Sequence, residues 1–452
     1  MSNLNPNIFK AYDVRGLYPE DINEEVAFSV AKALVEFLRN KGEFSGQPII
    51  VGRDARNSSD SLYDAVSEGL VSEKADVIDV GTVSTTLFYW AIINQKAAGG
   101  IMITASHNPA EYNGFKICRA AARSISLDSG LAEIRELAKK EKAADLSLTG
   151  KIWHKDLLEE YISFVKNKIT VEKIKSLKIV VDYGNGMAGA EVEKLLKFLP
   201  CSVESLFVEP DGSFPNHEAN PIKEENRIIL REKLLDIKAD LGVAFDGDGD
   251  RIAFLDEKGE LVRGDFITAL IAQELLRDNF GQKILYEVRS SKIIPEVILA
   301  AGGAPILGRP GQSLMKEQMR QENILFGGEL SGHYFYRDFG FIENTLFTMA
   351  EILRIISETQ KPFSEIIIPL KKYFNSGEIN FKVADADKTL AAAEKYFNGA
   401  QIKKIDGLTV EFPNWWFNLR KSNTEPLVRL NLEAETAGLL EEKKKEVMAL
   451  IK

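Results

Sequence analysis

Ser106 and His107 stand side by side where a short apolar run, Ile101-Met102-Ile103, gives way to Thr104-Ala105-Ser106-His107-Asn108-Pro109. The run reads as a buried strand. Pro109 stops it, and Asn113-Gly114 predicts a second turn. A hydroxyl beside an imidazole at a strand end suits a nucleophile or a carrier of a phosphoryl group. Taken alone it also fits an ordinary polar turn, but three further stretches ask for such a group. Asp246, Asp248 and Asp250 alternate with glycines behind the apolar run Leu241 to Phe245. Alternate residues of an extended or looped chain point the same way, and glycine lets the chain curl until the carboxylates converge. Converging carboxylates repel without a cation, and an oxygen-only set selects Mg²⁺ or Ca²⁺. Glu257 falls at the last position of an EF-hand loop, but Arg251 stands where that loop needs glycine, and a strand rather than a helix leads in. Three protein ligands leave Mg²⁺ open to a phosphate oxygen.

Glu329, Ser331 and His333 alternate around glycines in the same way. Carboxylate, hydroxyl and imidazole together can receive vicinal sugar hydroxyls, which both donate and accept. Near the C-terminus, Arg420-Lys421-Ser422-Asn423-Thr424-Glu425-Pro426 joins two predicted strands. Its guanidinium, hydroxyls, amide and successive backbone N–H groups suit a phosphate. Each of these two stretches, taken singly, also reads as a hydrogen-bonded turn or solvated hairpin.

The elements that must position these groups alternate between strand and helix. Asn23 to Arg39 has apolar residues at helical spacing, with Asn23 as N-cap. Pro48 to Val51 and Val77 to Val80 read as strands, Leu62 to Leu70 and Leu87 to Ile93 as helices. This alternation predicts an α/β sheet domain over residues 1–150. A second unit, 151–253, contains the strands Lys178 to Asp182 and Leu241 to Phe245 and ends at the aspartate loop. A third, 254–365, carries the Glu329 loop, with Ile342 to Ile356 as its closing helix. Over 366–452 the strands follow one another with few crossover helices, which predicts an α+β, mainly antiparallel domain. In the first three units an apolar strand delivers a polar, glycine-rich loop, where ligands bind in such sheets.

The 452 residues hold 57 Lys+Arg against 67 Asp+Glu, a net charge of −10. That balance argues against general nucleic-acid or membrane-surface binding, though not against a small anion in a locally basic pocket. Cys118 and Cys201 form no metal or redox motif. The N-terminus lacks a charged segment followed by an apolar one, and no apolar run is long enough to span a membrane. The expectation is a soluble cytoplasmic protein.

TASHNP, DGDGDR, GELSGH and RKSNTEP, in this order and spacing, resemble the α-D-phosphohexomutase superfamily, and most of all its phosphomannomutase/phosphoglucomutase branch. The resemblance covers essentially the whole chain. It implies a heart-shaped molecule of three related mixed α/β domains and a C-terminal α+β domain similar to the TATA-box-binding-protein fold. It implies that Ser106 is phosphorylated in the active enzyme and that one Mg²⁺ sits on Asp246, Asp248 and Asp250 with a phosphoserine oxygen. Glu329, Ser331 and His333 match the sugar-binding loop. Arg420, Ser422, Asn423 and Thr424 match the phosphate-binding loop, and Arg15, His107, Lys116 and Arg251 match polar residues around the reacting phosphoryl group. The implied reaction moves a phosphoryl group between the 1- and 6-positions of a hexose phosphate through a hexose 1,6-bisphosphate, which also serves as activator. Lys116 or His333 takes the hydroxyl proton. The implied state is a monomer or homodimer with small sugar phosphates as partners. Arg289 stands where many relatives have lysine, and Gln312 where many have histidine. A phosphoglucosamine mutase usually has Gln at the position of Leu330. A non-catalytic sugar-phosphate sensor would be expected to lose Ser106 or an aspartate.

Overall fold

The computed structural model describes residues 4–140, 150–421 and 427–451, so Ser422, Asn423 and Thr424 of the expected phosphate loop lie outside the described residues. Successive side chains of a strand face opposite ways, and Gly99–Ile103 uses this to divide two cores. Ile101 and Ile103 join Ile49, Val51 and Phe115 under the helices Glu24–Asn40, Ser59–Ser72 and Leu131–Ala138. Met102, Ile50 and Cys118 face the other way, into a larger core that runs on through Phe88, Tyr161, Ile179, Val243, Phe326 and Ile352. That core is common to three successive sheets and holds them against one another. As expected, Asn23 caps the first long helix, accepting the Val26 N–H at 3.0 Å.

The first sheet runs Val14–Leu17, Tyr112–Arg119, Gly99–Ile103, Ile49–Arg53, Val77–Thr82, Ile152–His154. Its last strand, beyond the expected boundary at residue 150, lies parallel to Val77–Thr82. The second sheet runs Leu261–Val262, Ile252–Leu255, Leu241–Phe245, Lys178–Asp182, Ser202–Leu206. The third runs Ala304–Gly308, Lys283–Glu287, Phe326–Gly328, Tyr334–Tyr336, Ile342–Glu343. All three mix parallel and antiparallel pairs. The fourth, Phe374–Lys382, Leu427–Ala434, Trp415–Lys421, Leu408–Glu411, Gln401–Lys403, is antiparallel throughout and closes its own core around Val410, Phe417, Leu430 and Leu432. Among the described residues no helix is long and apolar enough to cross a membrane.

Two local expectations are corrected. Asn113-Gly114 is not a turn but lies inside the strand Tyr112–Arg119, paired with Gly16 and Arg15. Glycine is needed there because a Cβ would come within 2.0 Å of the Val14 carbonyl oxygen on the neighbouring strand. Ile342 does not begin the closing helix. Ile342–Glu343 pairs with Phe335 and Tyr336, and Asn344 then accepts the Phe347 N–H at 2.8 Å, so the helix is Thr345–Thr359.

Candidate active site

Each expected loop turns out to join two antiparallel strands. Phe245 pairs with Ile252 across the aspartate loop, Gly328 with Tyr334 across the Glu329 loop, and Ile103 with Phe115 across the serine loop. The returning strand anchors the loop at both ends, and the shared core brings three such loops to one place.

Ser106 is buried, and its φ of +52° lies in the left-handed region, unusual for a residue with a Cβ. The loop is held there by Arg56. Its guanidinium donates to the carbonyls of Ser106 at 2.8 Å, Asn108 at 2.7 Å, Pro109 at 2.6 Å and Tyr112 at 2.9 Å, and its Nε to Asp54 at 3.1 Å. Sequence reasoning missed Arg56. The only signal was the polar Arg53-Asp54 pair closing a strand, because the four carbonyls come together only on folding. The Ser106 hydroxyl donates to Asp246 Oδ2 at 2.9 Å, so His107 Nδ1, 3.0 Å away, donates to Ser106 Oγ. Burial together with the Arg251 and Arg15 charges holds His107 well below the usual histidine range.

The aspartate loop packs directly on the serine loop. A Cβ on Gly247 would meet the Ser106 carbonyl oxygen at 2.6 Å. Two helix starts also grip the loop. Thr85 donates its backbone N–H to the Asp248 carbonyl at 2.8 Å and its hydroxyl to Asp248 Oδ2 at 2.5 Å. Thr345 donates its hydroxyl to the Gly249 carbonyl at 2.9 Å. Free N–H groups at a helix N-terminus suit this task. Asp246, Asp248 and Asp250 are fully buried, with candidate ligand atoms all within 4.8 Å of one another. Burial and the other two carboxylates push Asp246 well above the usual carboxylate range. Lys116 Nζ donates to Asp248 at 2.6 Å and also to Asp250, which keeps it protonated. Asp248 Oδ1 and Asp250 Oδ1 are buried without a hydrogen-bond partner among the described residues. Unpartnered buried oxygens within a cluster of three convergent carboxylates fit a hard divalent cation, so the donor set suits Mg²⁺.

His333 lies against this loop. Arg251 Nε donates to its Nε2 at 3.0 Å, leaving Nδ1 to donate to the Asp250 carbonyl at 3.2 Å. Burial and the Arg251 and Lys116 charges keep this imidazole neutral. Arg15, Ser106, Lys116, Arg251, Glu329 and His333 line a cavity of about 650 Å³. Arg15 donates to Asn108 at 2.7 Å and Asp13 at 2.5 Å. Glu329 Oε2 and the Ser331 hydroxyl are buried without a hydrogen-bond partner among the described residues. Gln312, also on the wall, receives Lys316 Nζ at 3.1 Å and the Tyr89 hydroxyl at 3.3 Å, and Lys316 in turn pairs with Glu343 at 3.1 Å. Arg289 lies 2.6 Å from Glu287, 3.4 Å from Glu329 and 3.9 Å from Glu378, so it joins the third unit to the fourth. Arg420 donates to Glu378 at 2.8 Å, and its Nε has no hydrogen-bond partner among the described residues. Arg15, Ser106, His107, Lys116, Arg251, Glu329 and His333 thus line one cavity, which the three aspartates meet through Ser106 and Lys116, whereas Ser331 and Arg420 are not on its wall.

Four family models match the chain in order: "Phosphoglucomutase/phosphomannomutase, alpha/beta/alpha domain I" over residues 6–145, domain II over 159–259, domain III over 263–373 and the C-terminal domain over 378–450. The chain is similar to a phosphomannomutase of Vibrio cholerae, 37% identical over 98% of both chains. It is similar to a phosphomannomutase of Escherichia coli K12, 36% identical over 98% of both. Among solved structures it superposes on a phosphoglucomutase/phosphomannomutase family protein from Burkholderia thailandensis with a TM-score of 0.90 and 32% identity, covering 99% of this chain and 97% of that one.

Proposed function

Because the chain belongs to the phosphoglucomutase/phosphomannomutase family and is a phosphohexomutase, we propose that it interconverts the 1- and 6-phosphates of mannose and glucose through phosphorylated Ser106 and a hexose 1,6-bisphosphate. The observation that carries this reading is the Ser106 hydroxyl, 2.9 Å from one of three convergent buried aspartates and open to the cavity. In the first half-reaction the bond from phosphorus to Ser106 Oγ breaks and one to the sugar hydroxyl oxygen forms; in the second the bond from phosphorus to the other sugar oxygen breaks, one to Ser106 Oγ re-forms and the proton returns to that sugar oxygen. In the first, the hydroxyl proton passes to the neutral His333 at Nε2, whose lone pair accepts from Arg251 Nε in the resting site and is freed when Arg251 turns to the phosphoryl group. Lys116 is left as the cation that holds Asp248 and Asp250. Mg²⁺ held by Asp246, Asp248 and Asp250 neutralises charge on the phosphoryl group when bound. Glu329 and Ser331 offer unpartnered oxygens to the sugar, and Arg15, Arg251 and Arg420 offer guanidinium groups to phosphate. The bisphosphate then reverses and returns its other phosphoryl group to Ser106. Leu330 and the intact Ser106 and aspartates weigh against the glucosamine and sensor alternatives.

The test is Ser106→Ala. Turnover should fall below detection, and intact mass spectrometry should find one phosphoryl group on active wild type and none on the variant. A fully active alanine variant would overturn the phosphoserine route.

A further inference from the structure

Beside the site cavity lies a second one of about 590 Å³. The two share Asn7, Lys10 and Tyr12 on their walls, so they adjoin along one N-terminal segment. Tyr12 forms the partition. Its hydroxyl donates to the Pro310 carbonyl at 3.3 Å, and its ring lies where a Cβ on Gly311 would be, 2.6 Å from Cζ. Lys10, Arg135 and Arg309 line the second cavity, with Asp128 the one acid. Arg135 pairs with its neighbour Glu136 at 2.9 Å. Lys10 and Arg309 have no ion-pair partner among the described residues. In a chain of net charge −10, a cavity lined by three cations and one acid is a local inversion of sign. Phe9, Leu127 and Leu314 supply an apolar floor.

We propose that this second cavity is a vestibule that binds a phosphate group of the sugar bisphosphate while the intermediate reverses. This rests on the bisphosphate route above. To reverse, the intermediate must release both of its inner phosphate contacts at once, and a phosphate contact outside the inner cavity guards against its loss at that moment. A phosphate ester near its dianion, held by Lys10 and Arg309 a short step away, stays at high effective concentration and rebinds in the opposite sense. The apolar floor accommodates a face of the sugar ring. Lys10 reaches both cavities and serves as the hand-over between them.

The experiment counts bisphosphate lost per turnover. Enzyme phosphorylated with labelled phosphate is given glucose 1-phosphate together with excess unlabelled glucose 1,6-bisphosphate as trap, and labelled bisphosphate in solution is measured. Arg309→Gln should release at least tenfold more per product formed, while its rate at saturating glucose 1,6-bisphosphate stays at the wild-type level. Arg309→Lys should restore retention. Wild-type release should climb with KCl and the Arg309→Gln release much less, because salt screens the contact that the variant lacks. Should Arg309→Gln fail to fold, Lys10→Gln makes the same measurement from the other side of the cavity. Equal release from wild type and folded variants, or salt-independent release from wild type, would overturn the vestibule. Wild type that takes up no label on Ser106 would instead overturn the phosphoserine route.

Discussion

Asp248 divides its two oxygens between opposite tasks. Oδ2 is saturated by Thr85 and Lys116, whereas Oδ1 is buried with no hydrogen-bond partner among the described residues. An oxygen so placed costs about 1–3 kcal/mol unless a ligand uses it, and the cation that uses it also relieves the repulsion with Asp246 and Asp250. Asp248→Asn should therefore weaken Mg²⁺ at least about tenfold, read by calorimetric titration, with chelator silencing wild type and added Mg²⁺ restoring it. Activity indifferent to chelation would remove the metal assignment. Residue types and spacing singled out the aspartates, Ser106 and His107, because repeating carboxylates and a hydroxyl beside an imidazole advertise their chemistry locally, whereas Lys116 entered only through the family resemblance. Arg56 and Thr85 do not. Their partners are backbone carbonyls and a carboxylate far along the chain, and no local pattern records such contacts.

At the scale of elements, the same motifs were legible as loops but not as connections between antiparallel strands. Two of the returning strands, Ile252–Leu255 and Tyr334–Tyr336, are short, and in the third, Tyr112–Arg119, Asn113-Gly114 carries turn chemistry because Gly114 must let Val14 pass. Close approach of backbones also explains Gly247, where a Cβ would clash with the Ser106 carbonyl oxygen at 2.6 Å while touching Ala219 and Phe214 at 3.4 and 3.5 Å. Gly247→Ala should separate the metal loop from the serine loop and cost at least tenfold in kcat, with a smaller fractional effect on thermal stability; unchanged kcat would mean that the two loops are not in register during catalysis. The helix Ala188–Leu196 makes a different prediction. Its Glu191 is buried against the Ser84 N–H at 3.2 Å, and burial pushes the carboxyl up to about 7 from 4.5. Between those values the folded protein keeps a proton that the unfolded chain has released, so stability falls as pH rises through this window. The shift corresponds to roughly 3 kcal/mol. Urea unfolding of wild type at pH 5 and pH 8 should show that loss, and Glu191→Gln, which cannot titrate, should be flatter by about that amount; identical pH profiles would show that Glu191 is not the group responsible.

The whole molecule is two cohesive parts. Three sheets share one core, while the C-terminal sheet closes a core of its own and meets the third unit through charge, Arg289 reaching Glu378 on the strand that also receives Arg420. The sequence revealed the change in sheet type near residue 366 but not this tie, since Glu378 lies in a strand with no motif. Arg420 thus approaches the site from outside the part that holds Ser106 and the aspartates. If one sugar phosphate must present either end to Ser106, the end that is not reacting falls to the distal part in both half-reactions. Arg420→Ala should then weaken glucose 1-phosphate and glucose 6-phosphate by similar factors. A charge-assisted guanidinium contact is worth about 1.5–3 kcal/mol, roughly tenfold to a hundredfold in affinity. Mg²⁺ affinity should not change, because each contact described for the aspartate loop comes from the first three units. Calorimetric titration of both isomers and of Mg²⁺ against wild type and variant, with Ser106 dephosphorylated, measures all three quantities. Loss confined to one isomer would mean that each phosphate has its own pocket, and reversal of the intermediate within a single site would be wrong for this chain.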